Sequence, residues 1–177
     1  MAVLRHARGQ GADQTILNLG DLTGYGPNPD DVVRWTQAAQ VLSILGDYDQ
    51  KVISKKQRQE GWGRVKRSEK RQMFTWTYRA LSKRSRKILK KLPEQRLLTI
   101  EGVRILMTHG SPASIHEHLS PDTPQKRLLE LATRTKAILS CVGTHTGPSC
   151  EKLRMCCLST RARSDGLMMA TRAPVMP

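Results

Sequence analysis

Four short segments end in residue types that bind metals: Gly20-Asp21, Gly46-Asp47-Tyr48-Asp49, Thr108-His109-Gly110 and Gly143-Thr144-His145. Each follows a short apolar run of strand character, and in each a small residue turns the chain beside the acid or imidazole. Taken singly, an aspartate there is a helix cap or turn former, and a histidine is a hydrogen-bonded surface group. Taken together in order, they describe carboxylates and imidazoles converging on one edge of a layered sheet, where ligands bind. Such a donor set suits two divalent cations about 3.5 to 4 Å apart, which hold a phosphate ester and activate water for in-line attack.

The elements that must position these residues follow from periodicity and turn signals. TILNLGD, residues 15–21, reads as a strand. The loop TGYGPNP leads into a helical pattern in DDVVRWTQAAQ, where Asp30 and Asp31 suit the positive end of the helix dipole. VLSIL is the next strand and runs into Gly46-Asp47-Tyr48-Asp49. From Lys51 to Leu92 the pattern is helical, with Ser82 as an N-cap for KRSRKILKKL and Pro93 as its stop. QRLLTI and VRILMTH read as strands joined at Glu101-Gly102. PDTPQKRLLELATRTKA is a helix with Pro124 in its first turn, and AILSCV is a further strand. This alternation predicts an α/β layered fold.

Length and composition bound the class. The chain has 177 residues, the size of one domain with a real core. No apolar run approaches the roughly 18 to 20 residues of a membrane span, and MAVLRHARGQ lacks the apolar core of a signal peptide. No membrane partner and a cytoplasmic location are therefore expected. The formal net charge is +15, with the excess concentrated between Lys51 and Lys91. One use of that charge is nucleic-acid binding, with Trp62, Phe74, Trp76 and Tyr78 available for stacking. The plainer use is a solvated helical face with those aromatics in the core.

On LNLGDLTGYGPNPDDVV, LGDYD and LPEQRLLTIEGVRILMTHGSP, the chain resembles the calcineurin-like metallophosphoesterase superfamily over most of residues 1–140. The resemblance implies a four-layer α/β/β/α sandwich, a phosphoester substrate and two divalent ions, manganese, iron or zinc. It also implies roles. Asp21 matches the carboxylate that bridges both metals, Asp47 stands in place of a metal-binding Asn, and His109 matches a histidine ligand. Tyr48 stands where many relatives have the group that protonates the leaving oxygen, and Asp49 matches an acid that supports the ligands.

Two departures qualify the resemblance. The family's opening Asp-x-His-Gly-Asn has no counterpart, because AVLRHARGQGAD reads as the end of the following helix; His6 on it is a surface group. The first strand is thus expected to be missing. The final Gly-His-x-His appears instead as Gly143-Thr144-His145-Thr146, leaving His145 as its remnant. If each codon's last base is joined to the first two of the next, residues 142–148 permit Gly-His-Thr-His-Arg-Pro, and residues 159–166 permit Asn-Pro-Gly-Ser-Val-Gly-Arg. Both are the family's own letters in the family's order. Residues 141–177 are therefore expected to be a frameshifted tail behind a truncated domain at 1–140, with the true last strands absent. This reading also explains why all four cysteines lie at or after Cys141, without the paired C-x-x-C spacing of structural zinc. Weak metal binding and little turnover follow for the chain as written. The DNA of the locus tests it: the alternate frame must encode Gly-His-Thr-His.

Overall fold

A computed structural model describes residues 16–54, 68–120, 123–135, 139–143, 155–162 and 168–172. The order of elements is the alternation expected of an α/β fold, and its strands fall into two sheets. Strand β1 (Leu17–Asn18) lies parallel to β2 (Leu42–Ser43), with helix α1 (Pro29–Ala38) between them in sequence. Pro29 occupies the first turn of α1, where its missing N–H is no loss and its fixed φ suits the helix. Asp30 and Asp31 share that turn, as the dipole favours.

Helix α2 (Asp47–Ile53) starts at Asp47, four residues before the expected helical stretch. The reason is local. Gly46 caps it in an extended conformation, and the Asp49 carboxylate accepts the Gly46 N–H at 3.1 Å, so the acidic cluster is the first turn of a helix. Helices α3 (Ser68–Ala80) and α4 (Lys83–Lys91) follow. Ser82 caps α4 as expected, accepting the Ser85 N–H at 3.1 Å, while its own N–H donates to Asp30 at 2.8 Å and ties α4 to the start of α1.

These helices enclose the principal core of the described residues: Leu22, Val33, Tyr48, Val52, Phe74, Leu81 and Leu89. Full burial of a side chain such as Leu89 contributes about 1.5 to 3 kcal/mol. The position of α2 is therefore set by Tyr48 and Val52 packing inward, and that packing carries its first-turn acids with it.

The second sheet has the order β3-β4-β5-β6-β7. Strands β3 (Gln95–Ile100) and β4 (Val103–Thr108) form a hairpin at Glu101-Gly102, whose φ values of 49° and 78° are those of the tight turn that matches strand twist. Helix α5 (Gln125–Arg134) leads to β5 (Leu139–Gly143), parallel to β4. The segment read as an aberrant tail carries β6 (Met155–Ala162) and β7 (Met168–Arg172), paired antiparallel beyond β5. Its residues lack strand alternation, so sequence pattern did not anticipate them. No helix among the described residues is long and apolar enough to cross a membrane.

Candidate metal centre

The turn after β1 is shaped by backbone crowding. Gly20 has φ +99°, and a Cβ there would lie 2.6 Å from the Gly46 Cα and N and 2.9 Å from His109 Nδ1. On Gly46 a Cβ would meet the Asp21 N at 2.1 Å and its Oδ1 at 2.2 Å. Only glycines let these two turns and His109 approach so closely. Asp21 itself sits at φ 56°, a left-handed conformation that costs energy in a non-glycine residue and is typical of functional turns.

Three ligand atoms result, from Asp21, Asp47 and His109, all within 4.8 Å of one another. His109, at the end of β4, donates Nδ1–H to the Leu19 carbonyl at 2.7 Å. A carbonyl can only accept, so the neutral ring presents its Nε2 lone pair to the cluster, as a metal-binding histidine does. That Nε2 is 3.5 Å from Asp21 Oδ2 and 3.4 Å from Asp47 Oδ1, and it is buried without a hydrogen-bond partner among the described residues. A buried nitrogen left so is costly unless something else satisfies it. The donor set, two carboxylate oxygens and one imidazole, fits a divalent cation.

Electrostatics agree. Burial pushes the Asp21 carboxyl up to about 6, helped by Asp47 and Asp49 and opposed by His109 and the Tyr48 N–H, which donates to Oδ1 at 3.0 Å. Burial also disfavours charge on Asp47, but His109 and Lys51 outweigh it and hold this acid below the usual carboxylate range. Burial works against a charged His109, and Asp47, Asp21 and the Leu19 carbonyl overcome it, so the imidazole is shifted up. The cluster therefore favours positive charge between its carboxylates.

The other expected site residues are placed differently. Asp49 stands off the cluster and clamps the turns: its carboxylate accepts Leu22 N–H at 3.2 Å, Thr23 N–H at 2.8 Å, Thr23 Oγ1–H at 2.7 Å and the Gly46 N–H. Tyr48 packs edge-on against Phe74 in the core, and its hydroxyl meets that of Tyr25 at 2.9 Å. Burial and the Tyr25 hydroxyl raise its pKa, so the phenol keeps its proton. His145, His6 and Trp62 lie outside the described residues. Of the aromatics considered for stacking, Phe74 is buried, Tyr78 lies beneath Arg86 at 4.5 Å, and Trp76 is half exposed.

Sequence reasoning missed Lys51, which pairs with Asp47 across one helical turn. It also missed the loop that carries His109 onto α5. There Ser111 donates to Glu117 and accepts the N–H groups of Ala113 at 3.0 Å and Ser114 at 3.2 Å, and Arg127 grips Glu117 with two bonds at 2.8 and 3.0 Å. The available signal was spacing: Asp47 and Lys51 are four apart on a helix, a pairing distance.

Residues 1–156 match the calcineurin-like phosphoesterase superfamily domain. The chain belongs to that family. An uncharacterized protein of Methanocaldococcus jannaschii is 29% identical over 125 residues, which are 68% of this chain and 48% of that protein. The chain thus spans about half the length of this relative. Among solved structures, a metallophosphoesterase from Sphaerobacter thermophilus is similar at 25% identity and TM-score 0.58, over 80% of this chain and 54% of that one. A hypothetical protein of Pyrococcus horikoshii shares the fold at 18% identity and TM-score 0.65, over 81% of this chain and 61% of that one. The layered α/β phosphoesterase fold expected from the sequence is thus the fold of the family.

Proposed function

We propose that the chain is a divalent-metal-dependent phosphoesterase of low activity, acting on a phosphomonoester or phosphodiester. The observation that carries this reading is the buried Nε2 of His109, without a hydrogen-bond partner among the described residues and facing Asp21 Oδ2 and Asp47 Oδ1. Those three atoms would hold a manganese, iron or zinc ion. When bound, such an ion polarises a phosphoryl oxygen and lowers the pKa of water.

The chain's own residues do the rest. Leu19 holds the imidazole in the tautomer that leaves Nε2 free, and the Tyr48 N–H turns Asp21 so that Oδ2 faces inward. Asp49 fixes both turns from behind. Tyr48, kept protonated beside Tyr25, is the group assigned to deliver a proton to the departing oxygen, as its place in the family pattern suggests. Low activity is expected because the described residues bring three side-chain ligands together, and His145 stands in a rearranged motif.

The test is hydrolysis of an artificial phosphodiester by the full chain with and without Mn²⁺, beside Asp21→Asn and His109→Ala. Slow Mn²⁺-dependent turnover, reduced about 100-fold or more in both variants, is expected. Turnover indifferent to metal or to both substitutions would sink the reading. A normal enzyme rate would refute the low-activity part alone.

A further inference from the structure

Helices α1 and α4 are tied together where they start and leave a cleft where they end. Asp30, in the first turn of α1, accepts the Ser82 N–H at 2.8 Å. At the carboxyl ends the chain is anchored to β2 twice: the Val41 N–H donates to the Thr36 carbonyl at 3.0 Å, and the Leu45 N–H donates to the Pro93 carbonyl at 2.8 Å. Between these anchors lies a cleft of about 470 Å³, bounded by the ends of α1 and α4, by β2 and by the start of β3. That is room for a small molecule.

None of the lining residues belongs to the metal centre, and none is acidic. Leu42, Ile88 and Leu92 give the cleft apolar walls. The hydroxyls of Thr36 and Ser43 are turned to the carbonyls of Val33 and Val41. Four polar side chains remain, those of Gln37, Gln40, Lys91 and Arg96, and none of the four has a hydrogen-bond or ion-pair partner among the described residues. Gln40 has φ 54°, in the left-handed position just past the end of α1 that glycine or asparagine ordinarily fills. A long amide side chain is therefore kept at the cleft against the local backbone preference.

Charge decides what such a cleft takes. The carboxyl ends of the two helices bring roughly half a negative charge each, whereas Lys91 and Arg96 bring a full positive charge each. The balance is positive, beside apolar walls that screen it less than open water would. A guanidinium fork with an ammonium suits a phosphomonoester, whose charge is about −1.5 to −2 at pH 7. Two amides, each able to donate and to accept, suit the polar edge of a ring whose faces lie on the apolar walls.

We propose that this cleft is a second ligand site, for a small phosphomonoester whose body is a polar-edged ring. Lys91 and Arg96 take the phosphate, Gln37 and Gln40 the edge of the ring, and Leu42, Ile88 and Leu92 its faces. A carboxylate would leave one of the two cations unmatched, and a hydrocarbon body would use neither glutamine. The site needs no metal and none of Asp21, Asp47 or His109, so it stands or falls separately from the reaction proposed above.

The experiment is calorimetric titration of the full chain in EDTA with AMP and with glucose 6-phosphate, beside adenosine, glucose and inorganic phosphate. Wild type is compared with Lys91→Gln combined with Arg96→Gln, with Lys87→Gln on the exposed side of the same helix, and with Asp21→Asn. Thermal melts show that each is folded. At least one of the two esters should bind with a Kd below about 1 mM and about tenfold or more tighter than its parent ring compound or inorganic phosphate. Which of them binds tells a nucleotide from a sugar phosphate. The double variant should lose about tenfold or more of that affinity, while Lys87→Gln and Asp21→Asn keep it. Neither ester binding below about 1 mM would overturn the proposal. So would undiminished binding in the double variant, or an equal loss in Lys87→Gln, which would mean that the helix charge at large attracts the anion. Loss of binding in Asp21→Asn would also overturn it, by moving the ligand to the metal centre.

Discussion

Between Leu19 and Asp49 the chain braces its ligand-bearing turns with a fully buried carboxylate, whereas from His109 to Arg127 it braces them with an ion pair near the surface. Asp49 is 0% exposed and collects three backbone N–H groups and a hydroxyl from two turns. Glu117, whose side chain is 28% exposed, collects one hydroxyl and the fork of Arg127. Both hold a candidate metal ligand in place by fixing the backbone next to it. They differ in what water can replace. If the buried acid is removed, its donors have nowhere else to turn; near the surface, solvent takes over much of the work.

The sharpest way to break that contrast is Asp49→Ala. It strands the amides of Leu22, Thr23 and Gly46 and the Thr23 hydroxyl in the interior, at a cost of about 4 kcal/mol. For a chain of this size that lowers the melting temperature by roughly 8 to 16 °C. Thermal or urea melts check it; a loss below about 1 kcal/mol would mean that Asp49 is not the clamp.

Gly46→Ala should come next. Its φ of −92° suits alanine, so the whole effect is the collision of the new Cβ with the Asp21 backbone and carboxylate. Overpacking of this kind costs about 1 to 3 kcal/mol. It should also displace Asp21 and weaken Mn²⁺ binding even where the protein remains folded. Unchanged Mn²⁺ affinity in a folded variant would show that the two turns need not touch.

The same contrast explains which parts could be read in the sequence. Gly20-Asp21, Gly46-Asp47 and His109-Gly110 were legible because each combines a strand's end, a glycine and a ligand within a few residues. Ser82, Pro93 and the Glu101-Gly102 turn were legible for the same reason: caps and tight turns depend on neighbours in sequence. The separate jobs of Asp47 and Asp49 came from the family resemblance and could not be read from the residues themselves. They differ only in facing opposite ways from one helical turn, and what they face comes from residues 21–23 and 109. Lys51 was hidden among the many other basic residues between positions 51 and 91. Tyr25 looked like one more residue of a glycine-rich loop; it reaches Tyr48 because Gly24 beside it lets the loop backbone come close, a Cβ there lying 3.0 Å from that of Tyr48. Strand β6 depends on pairing with β5 and strand β7 on pairing with β6, for which their own residues carry no alternating pattern.

The smallest effect belongs to Glu117→Gln, and its pH dependence distinguishes it from the buried clamp. Arg127 first, and then Ser111, hold the Glu117 carboxyl below its ordinary 4.5, while burial opposes them weakly. A carboxyl with a lowered folded pKa stabilises the protein above its unfolded value, and that contribution disappears as pH falls through the folded one. At neutral pH the variant should therefore be less stable by about 1 kcal/mol, since glutamine can still accept from Arg127 and Ser111 but without charge. Below pH 4.5 the gap should close as wild-type Glu117 takes up its proton. Melting temperatures measured from pH 7 down to the acid limit of folding would show two curves that converge. Parallel curves would mean that charge on Glu117 contributes nothing, and that the loop after His109 is held by its backbone turn and Ser111 alone.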